Sequence, residues 1–590
     1  MKKVRNIAII LMVLLIGAGT LFAGGGSQPS GGGASVTPYN LPRNQTLYFN
    51  GLQWGAPSGN SPYVANASNF ASGGHRQTVY ETLFVYNLLD GKLYPQIGDS
   101  YSWNPTARTL TVQLNRNVKF HDGSPLTAAD VVYSFDLAKK YVIGASGYWD
   151  YLDSVTAQGD YTVVLTGKAA NFNMKSMEQA ISEFSITSKA YWEGKLKSGE
   201  LGTSPADLVG FAGWDCIGTG PYMPLYHDDV KLVIIRNDSY WGQHSSRYGK
   251  LPAPKYIAHN IYRDNAAGDE AFRRGEIDVS QQFIAQIWTF PNAKTYLPAA
   301  PYYIPGVIPM IIFNTTKPGL NDPAVRRAIA MVLDYNLIGT NAMSGYTAPK
   351  QAHFMAPLPA ELALIDEAQL KPYQWTGIDV AGANDLLDKA GWVRGADGVR
   401  AKGGVRLVFR VECPAGWSDW NASLEVVAQS TRAIGMNITT YFPEAPVWTA
   451  DRLNNTFDII MDSPGGQGIG SPWTRANAVM GSNYLPPVGT PNPIGNYGRY
   501  VNAEAQQIIS QIPNETDTAK LKDLWTKLNI IYLQEMPAAG LMYRPWLFHT
   551  VSTSVWTNFP EAGDGTNPPV PPTIMIDGYG IKGLYNLRLK

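Results

Sequence analysis

A chain of 590 residues is long enough for more than one domain, and its 47 basic residues balance its 47 acidic ones. Three of the basic residues, Lys2, Lys3 and Arg5, stand at the very start, so the rest is slightly acidic; a polyanion-binding surface needs clustered positive charge, and nucleic acid is excluded as a partner. Only 16% of residues are charged while 12% are aromatic, 16 of them tryptophan, which predicts flat amphipathic faces at a cleft or surface as well as in a core.

The basic tip is followed by an apolar run over 7–16 and a small residue at Ala23, the pattern of a secretory leader cleaved near Ala23. The run is too short for a membrane span, and no later segment offers about 18 unbroken apolar residues. Cys216 and Cys413 are the two cysteines of the sequence, and neither stands where a lipid could be attached to a new N-terminus. The expectation is a periplasmic protein that is not a lipoprotein. Residues 24–36 read as a flexible Gly/Ser linker.

Alternating strands are predicted at 46–49, 109–114 and 161–165. A helix over 127–141 has Thr127 as its cap and Asp130 three residues on, as in a capping box. A second, over 322–337, has Asp322 as cap and Pro323 at its first position. Further helices follow at 380–390, 422–435 and 519–535, with a strand at 405–411. Strands alternating with helices over this length predict α/β lobes.

Between these elements lie motifs of fixed order. They begin with Tyr80-Glu81-Thr82-Leu83 and the stretch VKFHDGSPLTAADVVYS over 118–134. Gly218-Thr219-Gly220-Pro221-Tyr222 and Arg236-Asn237-Asp238-Ser239-Tyr240-Trp241 come next, then GEID at 275–278, IIFNTT at 311–316, DPAVRRAIA at 322–330, LLDKAGW ending at Trp392, and NYGRY at 496–500. In this order they resemble the extracellular solute-binding proteins of family 5, receptors of ABC importers for oligopeptides, nickel and oligosaccharides. The resemblance covers about residues 40–590. It implies an α/β fold of two lobes, an extra subdomain inserted in the first, and two segments crossing between lobes, for which 304–315 and 538–550 are the apolar, extended candidates. The implied division is a first lobe over 37–76, 209–303 and 541–590, an inserted subdomain over 77–208, and a second lobe over 304–540. It also implies a monomer that hands its ligand to the transmembrane subunits of a permease, with no cofactor and no metal.

None of the motifs is catalytic. His121 lies in a turn with no second histidine or cysteine near it, and reads as a hydrogen-bonded turn residue. No pair of carboxylates is set by a motif as a glycosidase requires. A secreted glycoside-active enzyme is the remaining reading from another class.

The ligand must be read from lining residues, since one fold serves many ligands. Between a predicted strand and helix stands Cys413-Pro414-Ala415-Gly416-Trp417-Ser418-Asp419-Trp420-Asn421. Two indoles beside an acid and an amide match a pyranose, with its apolar C–H face and rim of hydroxyls. This loop resembles that of the oligosaccharide-binding, cellobiose-type members of the family. Trp54, Trp214, Trp417, Asp419, Trp420, Asn421, Tyr543 and Trp546 are the candidate ligand-binding residues, with Trp241 and Trp392 expected in the core. An oligopeptide is the alternative ligand, its termini held by Asp419 and Arg544; the segment over 462–473 departs from the pattern of the peptide-binding members. The two cysteines fall in opposite lobes and are expected as free thiols.

Overall fold

The computed structural model describes residues 40–590 apart from 65, 142–143, 171, 348–349, 376, 466–467, 484, 493–494, 516, 546 and 573–577. The leader, the Gly/Ser linker and Trp546 therefore lie outside the described residues. The predicted alternating segments become strands Thr46–Asn50, Thr109–Leu114 and Thr162–Gly167.

Two large sheets organise residues 42–590, each with its own buried core. The first runs in the order Ala293–Lys294, Thr550–Ser552, Val279–Ser280, Thr46–Asn50, Tyr256–Asn260, Lys231–Arg236, Tyr222–His227. At its centre Thr46–Asn50 is parallel to both neighbours, Leu47 facing Ile257 and Phe49 facing Val279. The second runs Asn437–Tyr441, Val408–Glu412, Ile459–Asp462, Met310–Phe313, Ala538–Gly540. A third, antiparallel sheet of four strands over 98–167 is inserted after the first strand and carries the helix Ala128–Tyr141. This is the α/β, two-lobed architecture with an inserted subdomain that the motifs imply.

The chain passes between the large sheets twice. It leaves the first at Lys294 to enter the second at Met310, and leaves the second at Gly540 to rejoin the first at Thr550. The two passages are antiparallel neighbours: Met310 pairs with Gly540, and Val307 and Arg544 exchange both backbone hydrogen bonds at 2.9 Å.

Several local expectations are refined. The predicted helix 322–337 is broken into Pro323–Met331 and Tyr335–Leu337, because Asp334 caps a new start by accepting from the Leu337 N–H. The predicted helix 422–435 begins earlier, at Ser418, so Asp419, Trp420 and Asn421 occupy a first helical turn rather than a loop. His121 is held as a turn residue: its Nδ1 accepts from the Gly218 N–H at 3.1 Å and its Nε2 lies 3.0 Å from the Gly220 carbonyl. Trp241 and Trp392 are buried. Cys216 and Cys413 are unpaired and buried, one in each core.

Candidate functional site

The strand Val408–Glu412 ends at the buried Cys413, and the chain turns sharply through Pro414 to Gly416, where φ is +77°. A Cβ on Gly416 would lie 2.9 Å from the Cβ of Asp264 in the first lobe, so glycine allows the loop to press against the opposite lobe. Asn421 reaches back from the helix and donates its amide to Cys413 Sγ at 3.0 Å and to the Pro414 carbonyl at 2.8 Å. It therefore shapes the loop rather than offering that amide to a ligand. Asn265 of the first lobe donates to Ser418 Oγ at 3.0 Å, a hydrogen bond between lobes.

Trp417 is half-buried at the tip of this loop. Its ring lies 4.9 Å from that of Trp420, edge to face, and 6.0 Å from that of Trp448. From the first lobe Trp54 approaches to 6.5 Å, its plane tilted 41° from that of Trp417. Trp54 is placed by the turn after Thr46–Asn50: Gly51 has φ +90° and sits against the Gln282 backbone, and the Leu52 and Gln53 N–H groups both donate to His259 Nε2. Two indoles from opposite lobes thus form a corner of apolar faces.

The polar groups around that corner are neutral or neutralised. Asp419 is 1% exposed and accepts from Arg544 Nε at 2.7 Å. The two residues expected to hold the termini of a peptide hold each other. Trp420 is almost fully buried, as core as it is lining, and its indole N–H has no protein partner; the same is true of Trp448. Around the ends of the first sheet's central strands and the loops beside them, Asn50, Asn69, His75, His259, Ser280, Gln281 and His549 each carry a buried polar atom without a protein partner. Burial keeps the three imidazoles neutral, with His75 lowered to about 4, His549 to about 3, and His259 far below its ordinary value with help from His75.

The other candidates sit elsewhere. Trp214 stacks on His227 within the first lobe, with ring centroids 3.4 Å apart. Tyr543 lies on the returning passage after Gly540, buried against the second core, where its hydroxyl accepts from the Gln351 N–H. Trp448, on the helix Ala445–Asn454, was not foreseen, and neither was the polar floor, whose members come from separate stretches of sequence.

The model of the bacterial extracellular solute-binding proteins, family 5 (middle), matches residues 92–484. The chain belongs to that family. Among solved structures, it is similar to a mannohexaose-bound periplasmic oligopeptide-binding protein of an ABC transporter from Thermotoga maritima, with 27% identity and a TM-score of 0.82 over 93% of this chain and 99% of that one. It is also similar to a probable peptide-binding protein of Agrobacterium fabrum, 23% identical over 76% of this chain and 80% of that one. A glutathione-binding protein of Pectobacterium atrosepticum is 27% identical over 57% of this chain and 59% of its own length. No described helix is long and apolar enough to cross a membrane.

Proposed function

We propose that this protein captures an oligosaccharide between its lobes in the periplasm and delivers it, as a monomer, to the transmembrane subunits of an ABC importer. The observation that carries this reading is the corner formed by Trp54 and Trp417, contributed by opposite lobes. A pyranose packs its C–H face on an indole while its hydroxyls need neutral donors and acceptors. The indole N–H groups of Trp420 and Trp448 and the uncharged floor around His75 and His259 are of that kind. A bound zwitterion would need unpaired charges, whereas Asp419 and Arg544 form an ion pair. The Thermotoga maritima relative binds mannohexaose.

A second reading, oligopeptide capture, is favoured by the peptide-binding name of the Agrobacterium relative. Calorimetry of the leaderless protein with β-linked manno- and cello-oligosaccharides and with di- to pentapeptides separates the two. Heat with the sugars and none with the peptides is expected, and the reverse overturns the proposal. Ligand recovered unaltered after incubation is expected of a receptor; release of reducing sugar would make the protein an enzyme.

A further inference from the structure

We infer that a second pyranose-binding subsite lies in the cavity beside the ring contact of Tyr151 of the inserted subdomain with Trp473 of the second lobe. Arg76, Tyr148, Tyr151, Gln179, Glu183 and Trp473 are among the residues around a cavity of about 340 Å³. That is within the usual range for small-molecule sites, about 300–1,000 Å³. The rings of Tyr151 and Trp473 meet nearly perpendicular, 78° apart, with centroids separated by 6.1 Å. Trp473 is fixed by its indole N–H, which donates to the Ile509 carbonyl at 2.8 Å. Hence its ring is anchored at the edge while the residue stays half-buried at the cavity wall.

Both lobes are needed to make this cavity. The helix Met174–Glu183 supplies one wall, and Gly470 lies so close that a Cβ there would come within 2.8 Å of Gln179 Oε1. The site is therefore complete when the lobes are together. Burial raises the Glu183 carboxyl above its ordinary pKa against the pull of the Arg76 guanidinium, and Gln179 donates to that carboxyl at 3.1 Å. Arg76 Nε is buried without a protein partner, a donor left for an oxygen of a ligand. Arg76 follows His75, a member of the polar floor, directly in sequence. Aromatic faces, an amide and a spare donor fit a sugar unit rather than an ion. The site extends the proposed cleft to units remote from Trp417, and it rests on the oligosaccharide reading.

The test compares β-linked mannobiose with mannohexaose, and cellobiose with cellohexaose, on the full mature chain and its Tyr151→Ala, Trp473→Ala and Trp473→Phe variants. In the series that binds, both alanine variants should lose about tenfold in affinity for the hexaose, the scale of losing one buried aromatic contact. Binding of the biose should stay within about twofold, and Trp473→Phe should recover most of the loss. An unchanged hexaose affinity, or equal loss for biose and hexaose, overturns the subsite while leaving the proposed function in place. Wild-type protein that binds neither series overturns both. Gln179→Ala, half-buried at the cavity wall and off the helix's buried residues Met177, Ala180 and Ile181, serves as the second probe if an alanine variant does not fold, with the same length-selective loss expected.

Discussion

Trp417 and Trp420 are three residues apart and do different work. Trp417 is half-buried at a loop tip facing Trp54, while Trp420 is 5% exposed within the second core. Trp417→Ala should weaken ligand binding by about 1–3 kcal/mol with little change in melting temperature. Trp420→Ala should destabilise the second lobe by about 3–5 kcal/mol, as for other large-to-small core changes. Calorimetry and denaturant titration of both variants check this pair; equal effects in the two assays would refute the division. The loop was legible because indoles alternating with Ser418 and Asp419 make poor core patterning. Trp448 and the floor were not, since Asn50, His75, Gln281 and His549 come from separate stretches that only the tertiary fold brings together. The imidazoles of that floor also give an acid dependence. A histidine lowered to about 4 or 3 when folded stabilises fully above its unfolded pKa of about 6.5, and this is lost as pH falls from there toward the folded value. Glu81 and Glu412, both raised to about 7 by burial, work the other way: their contribution is present below about 4.5 and lost as pH rises through 7. The histidine contribution is therefore read by difference. His549 has φ +47°, which asparagine tolerates, so His549→Asn should gain melting temperature relative to wild type between pH 7 and pH 5. A constant offset would disprove it.

Element by element, helices with a cap and a stop were read well, as in Val380–Lys389 before Gly391 and Thr518–Glu535 before Pro537. The break at 332–334 was hidden because apolar spacing continues through it while Asp334 starts a new helix. Arg326 is 2% exposed and bonds between segments. It donates to the Leu320 carbonyl at 2.8 Å and to the Glu535 and Met536 carbonyls at 3.0 Å, fixing the long helix where it turns into the returning passage. Arg326→Met keeps the stem and strips three backbone carbonyls of their donor, two of them in buried hydrogen bonds, and should cost about 3 kcal/mol or more in a urea titration. A loss under about 1 kcal/mol would mean that water replaces the guanidinium without penalty.

At the scale of the whole molecule, the lobes meet at Asn265 with Ser418, at Asp264 with Gly416 and at Gln179 with Gly470. Such contacts belong to a closed arrangement, and a ligand that touches both lobes biases the equilibrium toward it. X-ray scattering should give a smaller radius of gyration at saturating ligand than without it; identical profiles would mean that the site does not open. Asn265→Ala removes a closed-state hydrogen bond, and should weaken binding by about 0.5–1.5 kcal/mol without altering the stoichiometry. The two-lobed plan was legible from ordered motifs, whereas the antiparallel partnership of the two passages was not, because strand pairing so distant in sequence leaves no local trace.

The placement of one unpaired thiol in each core gives the protein a pair of built-in clocks. A thiol-reactive dye reaches Cys216 only while the first core is breached and Cys413 only while the second is, so each labelling rate reports the opening of its own half. Equal rates would describe a molecule that melts as one piece. A faster Cys413 would describe a second lobe that loosens while the first stands, and saturating ligand should then slow that clock toward the other.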